Sequence, residues 1–190
     1  MRDLLRLIRE DFRTNDASLT RPGFQALAVH RFGNAVLGLP RVLRAPLSVL
    51  HDVCHVFVRN VYGIELPRSV RVGRRVRISH QSGIVIHPDA VIGDDCTIRQ
   101  NVTIGAVSRE RVAHAPVLGA GVEVGAGAVI IGKVTVGAGA HIGPNTVVMT
   151  SIPAGATVVS APPRVLQPPA LRQLQVPREP QDLEPRAISA

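Results

Sequence analysis

Two stretches of this chain hold side chains able to move a proton or carry a charge in a background that is mostly aliphatic. The first is Ile78-Ser79-His80-Gln81-Ser82-Gly83-Ile84-Val85, and the second is the polar run Ser108-Arg109-Glu110-Arg111, followed by His114 and Pro116. Imidazole titrates close to neutral pH, so a histidine in either stretch is a candidate for acid–base work. The remaining histidines have plainer readings. His30, His51 and His55 fall on amphipathic helical patterns, His87 follows an aliphatic at a corner, and His141 takes an outward place in a repeat. A metal centre needs a convergent set of ligands, and no such spacing is present. Cys54 lies in a helical segment and Cys96 at an inward, small-residue place, so both read as free buried thiols rather than as a disulfide or a nucleophile.

What positions the two stretches is a six-residue rhythm. Aliphatic residues recur at Val72, Ile78, Ile86, Ile92, Ile98 and Ile104, then at Leu118, Val124, Ile130, Val136 and Ile142, often with glycine next and a small residue four places on. This is the pattern of a hexapeptide β-solenoid, a left-handed parallel β-helix. Each hexad supplies one short strand and one corner, and about three hexads close one coil of a triangular prism. The aliphatics point inward and stack at about the 4.8 Å inter-strand spacing. A β-sandwich of short strands would not keep a fixed step. The step breaks twice: it is eight residues from Ile78 to Ile86, and fourteen from Ile104 to Leu118, two more than two hexads. A regular prism has smooth faces, so a binding site is expected at these departures.

Residues 1–62 read as a helical cap. Asp3 is placed to cap a first helix through Leu4, Leu5, Leu7, Ile8 and Phe12. A second carries Phe24, Leu27, Val29, Phe32 and Val36 on one face with His30-Arg31 on another, and a third runs from about Pro46 to Val61. These helices are expected to cover the first coil, whose open end presents unpaired backbone groups. Residues 63–160 form the solenoid, with Arg68, Arg71, Arg74, Arg75 and Arg77 as outward, solvated corner residues. The proline-rich tail, 161–190, is not expected to join a ladder.

The charge of +8 calls for an anionic partner, but it is almost all arginine, with Lys133 the only lysine, and aromatics make up 3% of the chain. Nucleic acid calls for clustered basic residues interleaved with aromatics, so a phosphorylated cofactor is the better match. Arg2, Arg6, Arg9, Glu10, Asp11 and Arg13 interrupt any leader-like run. His51, Asp52, His55 and Arg59 interrupt the apolar segment from Pro46 to Tyr62. Neither a signal peptide nor a membrane span is expected, and the cytoplasm is the expected compartment.

The helical cap, Glu65, the Ile78–Val85 stretch, Ile98-Arg99-Gln100-Asn101-Val102-Thr103-Ile104-Gly105, Val124-Gly125-Ala126-Gly127-Ala128 and Ser160-Ala161-Pro162-Pro163-Arg164-Val165 together resemble the serine acetyltransferases. They are also similar to the related acetyltransferases encoded with exopolysaccharide and colanic-acid pathways. The likeness runs from Gly63 to about Val165, over a shortened and loosely matched cap. It implies acetyl transfer from acetyl-CoA to a hydroxyl by a homotrimer or a dimer of trimers, with no metal. His80 matches the family's catalytic histidine, which takes the acceptor's proton during attack and passes it to the leaving thiolate. Glu65, fifteen residues earlier, matches an orienting aspartate. The spacing, nearly one coil, would set the two side by side on adjacent rungs. The resemblance lays pantetheine in a groove between subunits, with Gly105 and Ala106 flanking the thioester and the Ala126 amide further along. Pro144 at the next equivalent place has no N–H, and Lys133 and Arg164 are candidates for the nucleotide phosphates.

Acceptor recognition departs from the serine enzymes. Ser79 stands where they carry an aspartate for the amino acid's ammonium. His114-Ala115-Pro116, with Arg111 upstream, stands where an Arg-His pair holds its carboxylate. The sequence leaves open whether Asp16 replaces another substrate-binding aspartate. Leaving a substrate charge unpaired is costly, which turns the reading from free L-serine towards a sugar hydroxyl of a polysaccharide precursor, while the overall resemblance favours serine. The family's C-terminal isoleucine has no counterpart in Ile188-Ser189-Ala190, so docking on cysteine synthase is not expected. A rival from another class is a non-catalytic solenoid that serves as a scaffold.

Overall fold

The computed structural model describes residues 2–107 and 115–162. Three helices come first: α1 (Arg2–Thr14), α2 (Pro22–Leu37) and α3 (Arg41–Tyr62). Short strands then follow one another around a prism. β1 (Ile64–Glu65), β2 (Arg71–Val72) and β3 (Arg77–Ser79) make the first coil, and β4 (Ile84–Ile86), β5 (Val91–Ile92) and β6 (Thr97–Arg99) the second. β7 (Thr103–Gly105), β8 (Val117–Leu118) and β9 (Glu123–Val124) make the third, and β10 (Val129–Ile131), β11 (Thr135–Val136) and β12 (His141–Ile142) the fourth. β13 (Val147–Val148) and β14 (Thr157–Val158) close it. From β1 to β13 every third strand stacks in parallel on the one below, and β14 stacks on β12. The three faces are β1-β4-β7-β10-β13, β2-β5-β8-β11 and β3-β6-β9-β12-β14. The interior is the aliphatic column expected from the hexads, with Ile64, Ile84, Ile98, Ile104 and Ile130 wholly buried.

Strand register locates the departures. Ile86 pairs with Ile104 and Ile130 with Val148, the eighteen-residue coil of three plain hexads. Ile78 pairs with Ile98, twenty residues on, because two extra residues sit in the turn between β3 and β4. Ile104 pairs with Ile130, twenty-six residues on. The second departure is therefore larger than the spacing suggested: Ile104 and Leu118 lie on consecutive faces, so the stretch replaces one hexad and inserts eight residues, not two. A count of residues cannot tell two hexads plus two from one hexad plus eight, whereas the strand pairing can.

The cap covers the open end, as expected, but with its polar residues. α2 packs on β3 and α3 on β1. His30 Nε2 meets the Val70 carbonyl at 3.0 Å, Arg31 donates to the carbonyls of Val72 (2.6 Å) and Gly73, and Asn34 donates to that of Arg68 (3.2 Å). Asn15 donates to the Val76 carbonyl at 3.1 Å and accepts from the Ile78 N–H at 3.1 Å. His30 and Arg31 are thus buried. The first rung has no coil beneath it, and orphaned carbonyls in a protein interior need donors. Arg31 is held in turn by Asp11, a wholly buried carboxylate 2.9 Å from its Nε, whose pKa burial raises against the pull of the guanidinium.

Two helix boundaries differ from expectation. Asp3 lies within the first turn of α1 rather than capping it. α3 starts at Arg41, not near Pro46, because Pro40 at the N-cap leads into the helix and Pro46 sits inside it. Pro46 removes an N–H near the start of α3, where the surrounding residues face solvent. The compact unit closes at Ser160. Beyond Pro162 the expected tail lies outside the described residues.

Candidate functional site

His80 stands at the first departure, on the edge of the prism where β3 gives way to β4. Its backbone is left-handed, φ +67°, as are those of Ser82 (φ +88°) and Gly83 (φ +65°). Left-handed backbone is unusual for a side chain with a Cβ, so the surroundings must hold it. They do so from both sides: the Ser82 N–H donates to the Tyr62 carbonyl at 2.8 Å, and the Asn101 N–H donates to the Ser82 carbonyl at 2.9 Å. A Cβ on Gly83 would meet Asn101 Oδ1 at 2.3 Å, so glycine is needed there for space as well as for conformation. The turn lifts the His80 side chain into solvent.

Beside it the α1–α2 connection forms a cleft of about 200 Å³ against the end of β3, with Asp16, Arg21, Gly23, Arg77, Ser79 and His80 among its lining residues. Gly23 sets the closeness of the two walls, since a Cβ there would meet the Ile78 carbonyl oxygen at 2.2 Å. Asp16 pairs with two cations: its Oδ1 lies 2.7 Å from Arg77 Nη2 and its Oδ2 3.1 Å from Arg21 Nε. Arg77 also donates from Nε to Ser79 Oγ at 3.1 Å. The sequence placed Arg77 among solvated corner arginines. Its place two residues before Ser79, on the same outward side of β3, was the signal that it shares the site. Nothing in the sequence marks Arg21, whose position depends on how the cap folds.

Glu65 pairs in register with Val85, twenty residues on, because the turn between β3 and β4 holds two extra residues. Among the described residues no hydrogen bond or ion pair joins Glu65 to His80. Its carboxylate acts on His55 of α3, where it partly offsets the lowering of that histidine's pKa by burial.

The remaining candidates divide between two edges. Ala126 shares the edge of His80, two coils on. The Gly127 N–H donates to the Gln100 carbonyl and the Asn145 N–H to the Ala126 carbonyl, while the Ala126 N–H has no partner among the described residues. Gly105, Ala106 and the exposed Lys133 lie on the next edge, across the face built on β1, where the Gly132 N–H donates to the Gly105 carbonyl at 3.0 Å. His141 lies 3.4 Å from Glu123 on the face built on β3. Arg111, His114 and Arg164 lie outside the described residues. Among those described, no three His, Cys, Asp or Glu side chains converge as metal ligands do, and no helix is long and apolar enough to cross a membrane. Cys96 is buried, with its Sγ 3.1 Å from the Gly119 carbonyl oxygen and its pKa raised by burial.

A capped hexapeptide prism with a histidine and a charged cleft at a broken corner defines a class, the solenoid transferases. Comparison with known proteins agrees: the family of bacterial transferase hexapeptide (six repeats) matches residues 115–149. A serine acetyltransferase of Synechocystis is 42% identical over 149 residues, 77% of this chain and 57% of that protein. The putative colanic acid biosynthesis acetyltransferase WcaB of Escherichia coli is 37% identical over 135 residues, 67% of this chain and 78% of the relative. A soybean serine acetyltransferase solved with serine superimposes with a TM-score of 0.72 at 28% identity, over 86% of this chain and 69% of that one. The chain belongs to the hexapeptide-repeat acetyltransferases that include these enzymes. It spans less than three fifths of the length of the cyanobacterial serine acetyltransferases it matches.

Proposed function

We propose that this protein moves an acetyl group from acetyl-CoA to an acceptor hydroxyl, with His80 as general base. The observation that carries the reading is the His80 turn: an exposed histidine held in left-handed backbone at the mouth of a cleft, in a chain of this family. His80 takes the hydroxyl proton as the oxygen attacks the thioester carbonyl, the carbon–sulfur bond breaks, and the same proton passes to the departing thiolate. No covalent intermediate on the protein is needed.

Acetyl-CoA is the co-substrate of this reading, and the unpartnered Ala126 N–H is a backbone donor suited to an amide-bearing arm. Gly105, Ala106 and Lys133 complete the proposed path. Because they lie one edge away from His80, the path is best formed between two copies. The face between those edges supports that assembly. Outward residues on it run Val85, Thr103, Val129 and Val147 up the ladder, with Val85 42% and Val147 60% exposed. The proposed assembly is a homotrimer packed through this face. Glu65 is carried as a candidate orienting carboxylate without support from the contacts of a single chain.

The acceptor is L-serine or a sugar hydroxyl. An acceptor screen that follows CoA-thiol release from acetyl-CoA tests the reading, and release that depends on a hydroxyl compound is the expected result. Absence of release with serine and with every sugar offered would leave the scaffold as the better account.

A further inference from the structure

The cleft beside His80 is lined by Arg21, Arg77 and Asp16. Among the described residues Asp16 is the one carboxylate lining it, and both its oxygens are already engaged, Oδ1 by Arg77 and Oδ2 by Arg21. Two guanidinium groups against one carboxylate leave one positive charge in a small concave space. Both arginines remain partly open to solvent, with side chains 45% and 58% exposed. Arg77 uses Nε on Ser79 and Nη2 on Asp16, and its Nη1 has no partner among the described residues. An ammonium group entering here would meet two cations and an already satisfied carboxylate. An anionic group would meet free guanidinium donors in fork geometry.

From this we propose that the acceptor is an anionic hydroxyl compound, a sugar bearing a phosphate or a carboxylate, held by Arg77 and Arg21 while His80 addresses its hydroxyl. The inference rests on the acetyl-transfer reading for the reaction, but not for the anion site itself. Asp16 then holds the two arginines together in the empty cleft and competes with the incoming anion for them.

The test compares matched sugars on the full chain: xylose as the neutral compound, glucuronic acid for a carboxylate, glucose 6-phosphate for a phosphate, and glucosamine and L-serine for an ammonium. Binding is measured by calorimetry, independently of turnover, and thiol release is measured in parallel. At least one of the two anionic sugars should bind about tenfold more tightly than xylose, and which of the two does so identifies the anion. Arg77→Gln and Arg21→Gln should each cut that preference about tenfold, with the loss in turnover falling on KM rather than kcat. Asp16→Asn, which frees both guanidinium groups, should strengthen binding of the anionic sugar, whereas a merely structural Asp16 would weaken it. Unfolding midpoints check each variant, and the comparison of sugars on the unaltered chain holds even where one fails to fold.

Equal binding of xylose and both anionic sugars, or tighter binding of serine or glucosamine, overturns the inference. Turnover with serine or xylose that the arginine variants do not alter overturns it too, while leaving acetyl transfer intact. Tight anion binding without thiol release from any acceptor overturns acetyl transfer and leaves the anion site standing.

Discussion

His30 shows how a single residue can serve the fold while suggesting chemistry. As a histidine on an amphipathic pattern it reads as a core-edge side chain, yet its ring is buried against the Val70 carbonyl, and burial pulls its pKa from 6.5 down to about 4. In the unfolded chain the imidazole protonates near 6.5, so between these values the unfolded state binds the extra proton. Stability from this group is complete above pH 6.5 and is lost as the pH falls towards 4, by up to about 3 kcal/mol. Glu10 acts in a lower window: its hydrogen bond from Arg74 holds its pKa at about 2, so its share is complete above the ordinary 4.5 and is lost only below it. Urea unfolding of the wild type and of His30→Gln from pH 7.5 to 4 should therefore give stability differences that depend on pH between 6.5 and 4. A constant difference would contradict the assignment. His80 was legible as a candidate because its residue type sits at a break in a repeat. The register of Glu65 with Val85 was not, because the length of the coil is set by how that break folds.

At the scale of elements, the solenoid was readable because each hexad repeats one local solution, an inward aliphatic and a tight corner, so the sequence states it many times over. The cap was readable only as helices. Which side of α2 faces inward depends also on carbonyls that belong to β2 and its neighbours, and a hydrophobic pattern carries no record of them, so the contacts that bury His30 and Arg31 were not readable. Close approach of α2 to β3 rests on Gly23, where a Cβ would strike the Ile78 carbonyl at 2.2 Å. Gly23→Ala should cost about 1–3 kcal/mol by overpacking. It should also weaken acceptor binding, since the wall that carries Asp16 and Arg21 must move. A thermal melt and an acceptor titration measure the two effects, and an unshifted midpoint would show that the helix can ride over the added methyl.

Across the whole molecule, one chain leaves its candidate groups on two edges with an outward ladder of Val85, Val129 and Val147 between them. Exposed apolar rows on a sheet face are uncommon unless covered, and three copies packed face to edge would cover this one. Light scattering should return three times the mass of the chain, and Val147→Asp, which buries a charge in the contact, should shift the population to monomers and abolish turnover. A monomeric wild type with full activity would remove the shared groove. The central claim, that His80 moves the proton, is tested most directly by the kinetics of His80→Ala. The account predicts that kcat for acetyl transfer falls by about 100- to 10,000-fold, while acetyl-CoA binding and the unfolding midpoint stay close to those of the wild type. A variant that turns over at the wild-type rate would contradict it.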